Sequence, residues 1–139
     1  MTAVAAVAFT VLLVALAIFQ IALIAGVPWG RAAWGGADEV LPASKRIGSI
    51  VAVVLYVAFA VLALIRAGLL GDAGEALGVV IAMWVVFGYL ALGVLMNAIS
   101  RSKLERFIMT PVALVLAILA LVVALALLHE DFGRRRGGS

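Results

Sequence analysis

The sequence AVAAVAFTVLLVALAIFQIALIA, residues 3–25, contains no Asp, Glu, Lys or Arg. At 1.5 Å per residue, a helix of about 20 such residues crosses the roughly 30 Å of hydrocarbon in a bilayer. Three further apolar runs follow, and the predicted helices are about 3–25, 47–66, 75–97 and 107–128. Membrane-spanning β-strands need alternating polar and apolar residues, which these runs lack. The sequence thus predicts an all-α polytopic membrane protein with four transmembrane helices in an antiparallel bundle.

The composition also indicates a membrane-embedded chain. Of the 139 residues, 68% are hydrophobic and 12% are charged, against roughly 45–50% and about 25% in soluble domains. This length fits a single transmembrane domain, 1–139. Cysteine is absent and His129 is the only histidine, which excludes thiolate chemistry and a metal site built on several histidines. No nucleic-acid-binding module is recognisable, and a net charge of +3 is ordinary for loops that meet anionic lipid.

Basic residues in the connections suggest an orientation. Loop one, residues 26–46, and loop three together hold six Lys and Arg residues. The opposite side holds four, namely Arg66 and the three arginines of the tail 133–139. Because cytoplasmic loops carry the excess of Lys and Arg, we expect loops one and three in the cytoplasm. The tail itself is expected to be solvated at the lipid surface.

The fourth helix has two candidate starts. Ser102 and Glu105 have the spacing of a capping box. Thr110 followed by Pro111 is also a good N-cap and first helical position. We expect a short interfacial helix from Ser102 that bends at Pro111 into the membrane.

Three polar side chains on three different helices are predicted to share one layer. Counted from the loop-one face, Gln20, Tyr56 and Tyr89 lie roughly 9–14 Å deep. Polar groups in hydrocarbon seek partners. They could form an interhelical hydrogen-bond set that holds the packing, or the floor of a pocket open to the loop-one face. A third reading is that they face different ways and never meet.

Above that layer, the same face concentrates polar and basic residues: Arg31, Arg46, Ser49, Asn97, Ser100, Arg101, Ser102, Glu105 and Arg106. Guanidinium groups offer a planar fork of donors that suits phosphate or carboxylate. Basic residues at helix ends also simply anchor to lipid headgroups, and Arg101 and Glu105 have the spacing of an ion pair. Trp29 and Trp34 at loop one are predicted to be interface aromatics.

No catalytic constellation is visible. The chain has no Ser/His/Asp set, no Gly-rich phosphate loop and no pair of carboxylates within a membrane run. An intramembrane acid is the usual mark of proton-coupled transport, so ion-coupled pumping within one chain is disfavoured. We therefore expect a non-enzymatic protein without cofactor or metal.

A set of short motifs carries a resemblance. Residues 26–30 read GVPWG, residues 34–36 read WGG, Leu41-Pro42 precede Arg46, and residues 97–106 read NAISRSKLER before Pro111-Val112. Together they resemble a group of uncharacterised small bacterial four-helix membrane proteins, many of them actinobacterial. The resemblance implies a bacterial cell membrane, which in this setting is the inner membrane. It brings no known activity.

Three functional hypotheses follow. The leading one is a protein whose loop-one and loop-three face binds an anionic lipid headgroup or a partner membrane protein. The second is a homo-oligomeric small transporter or channel, since small residues at four-residue spacing favour self-association and four helices are few for a pore. The third is an enzyme acting on lipid, for which no residue pair has suitable spacing.

Overall fold

The computed structural model describes residues 1–126, which form helices and no strands. The helices are α1 (Thr2–Ile24), α2 (Ala43–Arg66), α3 (Leu77–Ala98) and α4 (Thr110–Ala124), with 3₁₀ turns at Gly30–Ala32, Trp34–Gly36 and Ala73–Glu75 and a π-helical turn at Glu105–Met109. Four segments are long and apolar enough to span a membrane, the fourth counted from Glu105. The predicted four-helix membrane bundle is confirmed. The expected helix end at 128, His129 and the tail 133–139 lie outside the described residues.

The helices form a ring in chain order. The most extensive contacts join α1 to α2 and α3 to α4, and α1 also packs on α4. The contact between α2 and α3 is smaller. Since short connections join neighbours, consecutive helices run antiparallel, with loops one and three at one end of the bundle and loop two at the other.

Helix α1 shows why the pattern is apolar on every side. Its exposed face repeats at intervals of three and four residues: Val4, Val7, Val11, Val14, Ile18 and Ile21. Its buried face repeats at the same spacing and includes the small Ala6 and the larger Phe9 and Leu13. In a bilayer the exposed face meets lipid, so both faces are apolar and packing shape decides which one is inside.

The packed core occupies one half of the bundle. It joins the first half of α1, the second half of α2, the first half of α3 and the second half of α4, with Phe9, Phe59, Met83 and Val123 among its largest members. All of these segments lie at the loop-two end. Ala117, Ala120 and Ala124 are buried there, so the small residues of α4 serve packing within the chain.

Helices α2 and α3 do not begin at the residues predicted from the hydrophobic runs. Helix α2 begins at Ala43, before its apolar run, because the Pro42 carbonyl accepts the N–H groups of Lys45 and Arg46 at 3.1 and 3.0 Å. Helix α3 begins at Leu77, after the 3₁₀ turn Ala73–Glu75. Local backbone hydrogen bonds, rather than hydropathy, therefore set these boundaries.

A π-helical turn, Glu105–Met109, precedes Pro111, where the sequence predicted a bend. Pro111 has no N–H, and its ring crowds the carbonyl four residues earlier. A π turn widens the hydrogen-bond spacing to five residues and accommodates this. Thr110 has helical φ and ψ of −62° and −50°, and its hydroxyl donates to the Glu105 carbonyl at 3.3 Å. Thr110 is thus inside the helix, not its N-cap.

Candidate functional site

The half of the bundle near loops one and three contains only a small buried cluster, Leu23, Ala33 and Leu41, beside an open cavity. A cavity of about 810 Å³ lies there, bounded by all four helices and roofed by both loops. Its deep end is apolar, with Leu16, Leu90 and Leu116 directly above the packed core. Its outer end is polar and includes Lys45, Asn97, Ser100, Arg101 and Glu105. One chamber therefore offers an apolar interior and a charged, hydrogen-bonding mouth.

The structure brings together seven of the twelve residues singled out as ligand-binding: Gln20, Tyr56, Tyr89, Asn97, Ser100, Arg101 and Glu105. The other five, which are Arg31, Arg46, Ser49, Ser102 and Arg106, are not among the cavity-lining residues. Four of these five take part in hydrogen bonds of the two loops, Arg31 through its backbone carbonyl. Arg106 lies over the Phe107 ring, 5.6 Å from its centroid.

The three-residue polar layer meets inside the cavity. The Tyr56 hydroxyl lies beside the Gln20 side chain and within electrostatic range of Tyr89. The Tyr89 ring packs edge-on against Phe59, with ring centroids 5.4 Å apart. Gln20 is only 9% exposed, yet its Oε1 has no hydrogen-bond partner among residues 1–126.

Trp34 forms part of the roof. Its Nε1–H donates to the Ser49 hydroxyl at 3.2 Å, and Ser49 is fully buried. Its ring lies directly on Gly48, where a Cβ would be 2.7 Å from Cη2. Trp34 therefore folds back onto α2, a more specific placement than an interface aromatic. Trp29 stacks parallel to Phe19 with ring centroids 6.4 Å apart.

Glu105 joins loop one to loop three. Its Oε1 accepts the Gly35 N–H at 3.2 Å, and its Oε2 accepts the Ser100 hydroxyl. The backbone N–H of Glu105 donates to the Ser102 hydroxyl oxygen at 3.4 Å, which is half of the predicted capping box. The other half is replaced, because the carboxyl group reaches across to loop one instead of back to Ser102. Nor does Glu105 pair with Arg101 as its spacing suggested.

A second hydrogen bond joins the same two loops. The Ser102 hydroxyl donates to the Arg31 carbonyl. Gly36 has φ of +74°, and a Cβ there would lie 2.6 Å from the Ser102 Cβ. Only glycine fits this left-handed conformation and this close approach without strain. The WGG segment, residues 34–36, is thus part of the close backbone contact between loop one and loop three.

The charges at the mouth are unevenly compensated. Lys45 pairs with Asp38, the single ion pair among residues 1–126. The Arg46 Nε–H donates to the Leu41 carbonyl at 2.8 Å, which ties the end of loop one to α2. Arg101 lines the cavity and is exposed. Of the two cations that line the cavity, Arg101 is therefore the one without an acidic partner within residues 1–126.

Among the cavity-lining residues that the sequence did not predict as ligand-binding, Lys45 and Trp34 have side chains that donate hydrogen bonds. Lys45 was counted only toward orientation, and Trp34 only as an interface aromatic. Asp38, seven residues before Lys45, was the one available signal, since an acid in loop one suggests a local ion pair. The contact of Trp34 with Ser49 joins loop one to α2. No regular spacing in the sequence predicts such a contact.

At the opposite end, Arg66 is buried and 5% exposed. Its Nη1 donates to the Gly74 carbonyl at 3.3 Å and its Nη2 donates to the Ala124 carbonyl at 3.1 Å. Gly74 is required there, because a Cβ would lie 2.6 Å from the Ile65 carbonyl oxygen. Arg66 thus joins the ends of α2 and α4 to loop two, and it is structural in this arrangement.

Within residues 1–126, no three His, Cys, Asp or Glu side chains come together as metal ligands. No protein-family model, curated protein or solved structure matches the chain. The cavity and its lining are therefore the features that bear on function.

Proposed function

We propose that this protein binds an anionic lipid, with the headgroup at the loop-one and loop-three face and an acyl chain inside the cavity. One observation carries the proposal. The cavity runs from the unpaired Arg101 at the mouth to Leu16, Leu90 and Leu116 at its deep end. This polarity matches an amphiphile with a charged head, because guanidinium groups bind phosphate and carboxylate and apolar walls accept a chain.

The cavity is large enough to hold an acyl chain. Pockets of about 300–1,000 Å³ accommodate drug-sized ligands, and the cavity measures about 810 Å³. A second acyl chain would lie outside, against the exposed apolar faces of the helices. The α2–α3 side supports such an arrangement, since these helices make the smaller contact and cavity-lining Leu92 and Met96 are more than half exposed.

The charge of the face supports an anionic head. Loops one and three carry six basic residues and three acids, Asp38, Glu39 and Glu105. Asp38 forms an ion pair with Lys45, and the Glu105 carboxylate accepts hydrogen bonds from Gly35 and Ser100. The net positive surface attracts anionic headgroups over the range of a Debye length.

We further propose a bacterial cell membrane, with loops one and three in the cytoplasm. The motif resemblance supports the first part. For the second, six basic residues lie at the loop-one end, whereas the described part of the loop-two end carries only Arg66, which is buried.

The test is native mass spectrometry of the protein extracted gently from its own membrane and then exchanged into detergent with phosphatidylglycerol or phosphatidylcholine. We expect a retained lipid, with phosphatidylglycerol preferred. Arg101→Gln should lower phosphatidylglycerol retention about tenfold, as expected for loss of a hydrogen bond to a charged group. Arg106→Gln is the matched control, since Arg106 lies on the same face but outside the cavity.

Other outcomes would redirect the assignment. Equal retention of both lipids by the unaltered protein, or no effect of Arg101→Gln, contradicts anionic-lipid binding in the cavity. A retained second protein would instead identify a partner membrane protein. A defined homo-oligomer with no retained lipid would support the transporter or channel hypothesis, to be followed by flux measurements in proteoliposomes.

A further inference from the structure

The wall of the cavity is incomplete between α2 and α3. At the deep end these helices touch, since the Tyr89 ring packs edge-on against Phe59 with ring centroids 5.4 Å apart. Residues four and seven positions after Tyr89 share its helix face, so Gly93 and Met96 also point toward α2. Both line the cavity, yet Met96 is 59% exposed and a Cβ added at Gly93 would meet nothing within 4 Å. Above the contact of Tyr89 with Phe59, α2 therefore no longer packs on α3.

Loop one supplies much of the α2 side of this gap. Only Lys45 and Tyr56 of α2 line the cavity, and they lie eleven positions apart. Between them, the Trp34 ring lies on Gly48 and donates its Nε1–H to Ser49. We call the gap the lateral opening: it is bounded by Trp34 and Tyr56 on the α2 side and by Leu92, Gly93 and Met96 on the α3 side.

The lateral opening faces the hydrocarbon of the bilayer. Helices α2 and α3 are both long and apolar enough to span the membrane, and Leu92 at the opening is 57% exposed. An acyl chain that passes through it moves from lipid to the apolar cavity walls without meeting water. The roof is the less favourable route, because hydrogen bonds of Gly35 with Glu105 and of Ser102 with Arg31 hold it together. A chain crossing the roof would also have to pass the polar mouth.

We propose that lipid is loaded sideways, from the surrounding bilayer through the lateral opening into the cavity. This inference rests on the proposed lipid-binding function and adds the source of the ligand and its route. The headgroup moves along the membrane surface toward Arg101 while a chain slides between Trp34 and Met96. No hydrogen bond between the loops has to break, since the roof stays in place. The ligand is thus a lipid of the membrane and not an amphiphile delivered from water.

The experiment measures how fast bound phosphatidylglycerol is replaced. The full-length protein is purified with phosphatidylglycerol, placed in phosphatidylcholine bicelles and mixed with excess deuterated phosphatidylglycerol. Native mass spectrometry follows the increase in mass with time. Leu92→Trp places an indole at the edge of the lateral opening and should slow the exchange about tenfold, the size of an ordinary overpacking penalty. Leu95→Trp is the matched control, because Leu95 is 55% exposed on the same helix but is not among the cavity-lining residues.

A second variant tests the route through the roof. Ser102→Ala removes the hydroxyl that donates to the Arg31 carbonyl, and Ser102 itself is not among the cavity-lining residues. Loading through the roof predicts faster exchange in this variant, whereas sideways loading predicts the unaltered rate. Should Leu92→Trp fail to fold, Leu92→Cys is purified and then modified with benzyl methanethiosulfonate, which is selective because the chain has no other cysteine. Leu95→Cys, modified in the same way, is its control.

The outcomes separate this inference from the proposed function. Exchange at the unaltered rate with a bulky group at position 92, equal slowing with the same group at position 95, or faster exchange in Ser102→Ala each overturns sideways loading. In these cases, preferred retention of phosphatidylglycerol over phosphatidylcholine leaves the proposed function standing. If the unaltered protein retains no phosphatidylglycerol, the proposed function fails and this inference fails with it.

Discussion

The amide nitrogen of Gly35 lies 3.2 Å from Oε1 of Glu105, although the two residues are 70 positions apart in the chain. Glu105 is 7% exposed, and its other carboxyl oxygen accepts from Ser100. This arrangement joins the roof of the cavity to the start of the fourth membrane segment. The stability of the roof should therefore depend on Glu105 more than on any feature of loop one itself.

Replacing Glu105 tests this connection. Glu105→Ala leaves the Gly35 N–H without its acceptor, so local opening of loop one should increase about tenfold. Hydrogen–deuterium exchange of residues 30–40 measures the opening. Glu105→Gln keeps an amide oxygen for Gly35 and should exchange nearly as slowly as the unaltered protein. Equal exchange in Glu105→Ala would show that the other loop contacts suffice.

Gly36 and Gly35 form a matched pair for the contact between the loops. Both have positive φ, +74° and +81°, but an added Cβ would meet another residue only at Gly36, where it would lie 2.6 Å from the Ser102 Cβ. An alanine at either position costs about 1–2 kcal/mol for the left-handed conformation. Gly36→Ala should therefore lower the thermal midpoint in detergent clearly more than Gly35→Ala. Similar midpoints would contradict the close contact with Ser102.

The position of Trp34 on Gly48 can be followed by fluorescence. In a Trp29→Phe, Trp84→Phe background, Trp34 is the only tryptophan. Gly48→Ala places a Cβ 2.7 Å from the ring, so the indole should move outward, with red-shifted emission and stronger quenching by acrylamide. Gly78→Ala is the control, because a Cβ there meets nothing within 4 Å. An unchanged spectrum in Gly48→Ala would mean that the ring does not lie on α2.

Arg66 should govern the stability of the opposite end. Arg66→Met removes the donors to the Gly74 and Ala124 carbonyls, and we expect a loss of about 1.5–3 kcal/mol in the free energy of unfolding. Arg66→Lys should lose part of this, because an ammonium group lacks the planar fork that reaches both carbonyls. Unfolding in mixed micelles with increasing sodium dodecyl sulfate measures both. A larger loss for Lys than for Met would contradict a hydrogen-bonding role.

Orientation can be measured with introduced cysteines, since the chain has none. Lys103→Cys lies in exposed loop three and Asp72→Cys in exposed loop two. In intact cells from which any outer barrier has been removed, a membrane-impermeant maleimide should label position 72 at once and position 103 only after permeabilisation. The reverse pattern would place loops one and three outside.

The sequence was sufficient for the fold because hydrophobic length is a direct physical requirement of the bilayer. Runs of about 20 apolar residues without charge have few alternatives to transmembrane helices. It could not give the ends of α2 and α3, since these depend on the Pro42 carbonyl and on the turn at Ala73–Glu75. Such local hydrogen bonds leave no mark in hydropathy.

For the candidate site, depth counting brought Gln20, Tyr56 and Tyr89 to one level, and the structure places all three on one cavity. Counting along helices works here because each helix advances by 1.5 Å per residue along its axis, whichever way it crosses the bilayer. Contacts between loops obey no such rule. The bond of Gly35 to Glu105 and that of Trp34 to Ser49 could not be anticipated, because both join residues of an irregular segment to distant helices.

Because the cavity lies in one half of the bundle and the larger packed core in the other, the two ends of the bundle differ. The cavity starts at one membrane surface and ends at Leu16, Leu90 and Leu116, and the core of Phe9, Phe59 and their neighbours lies beyond. Under the proposed function, the bound lipid would therefore be drawn from one leaflet, and its exchange would depend on the composition and lateral pressure of that leaflet alone.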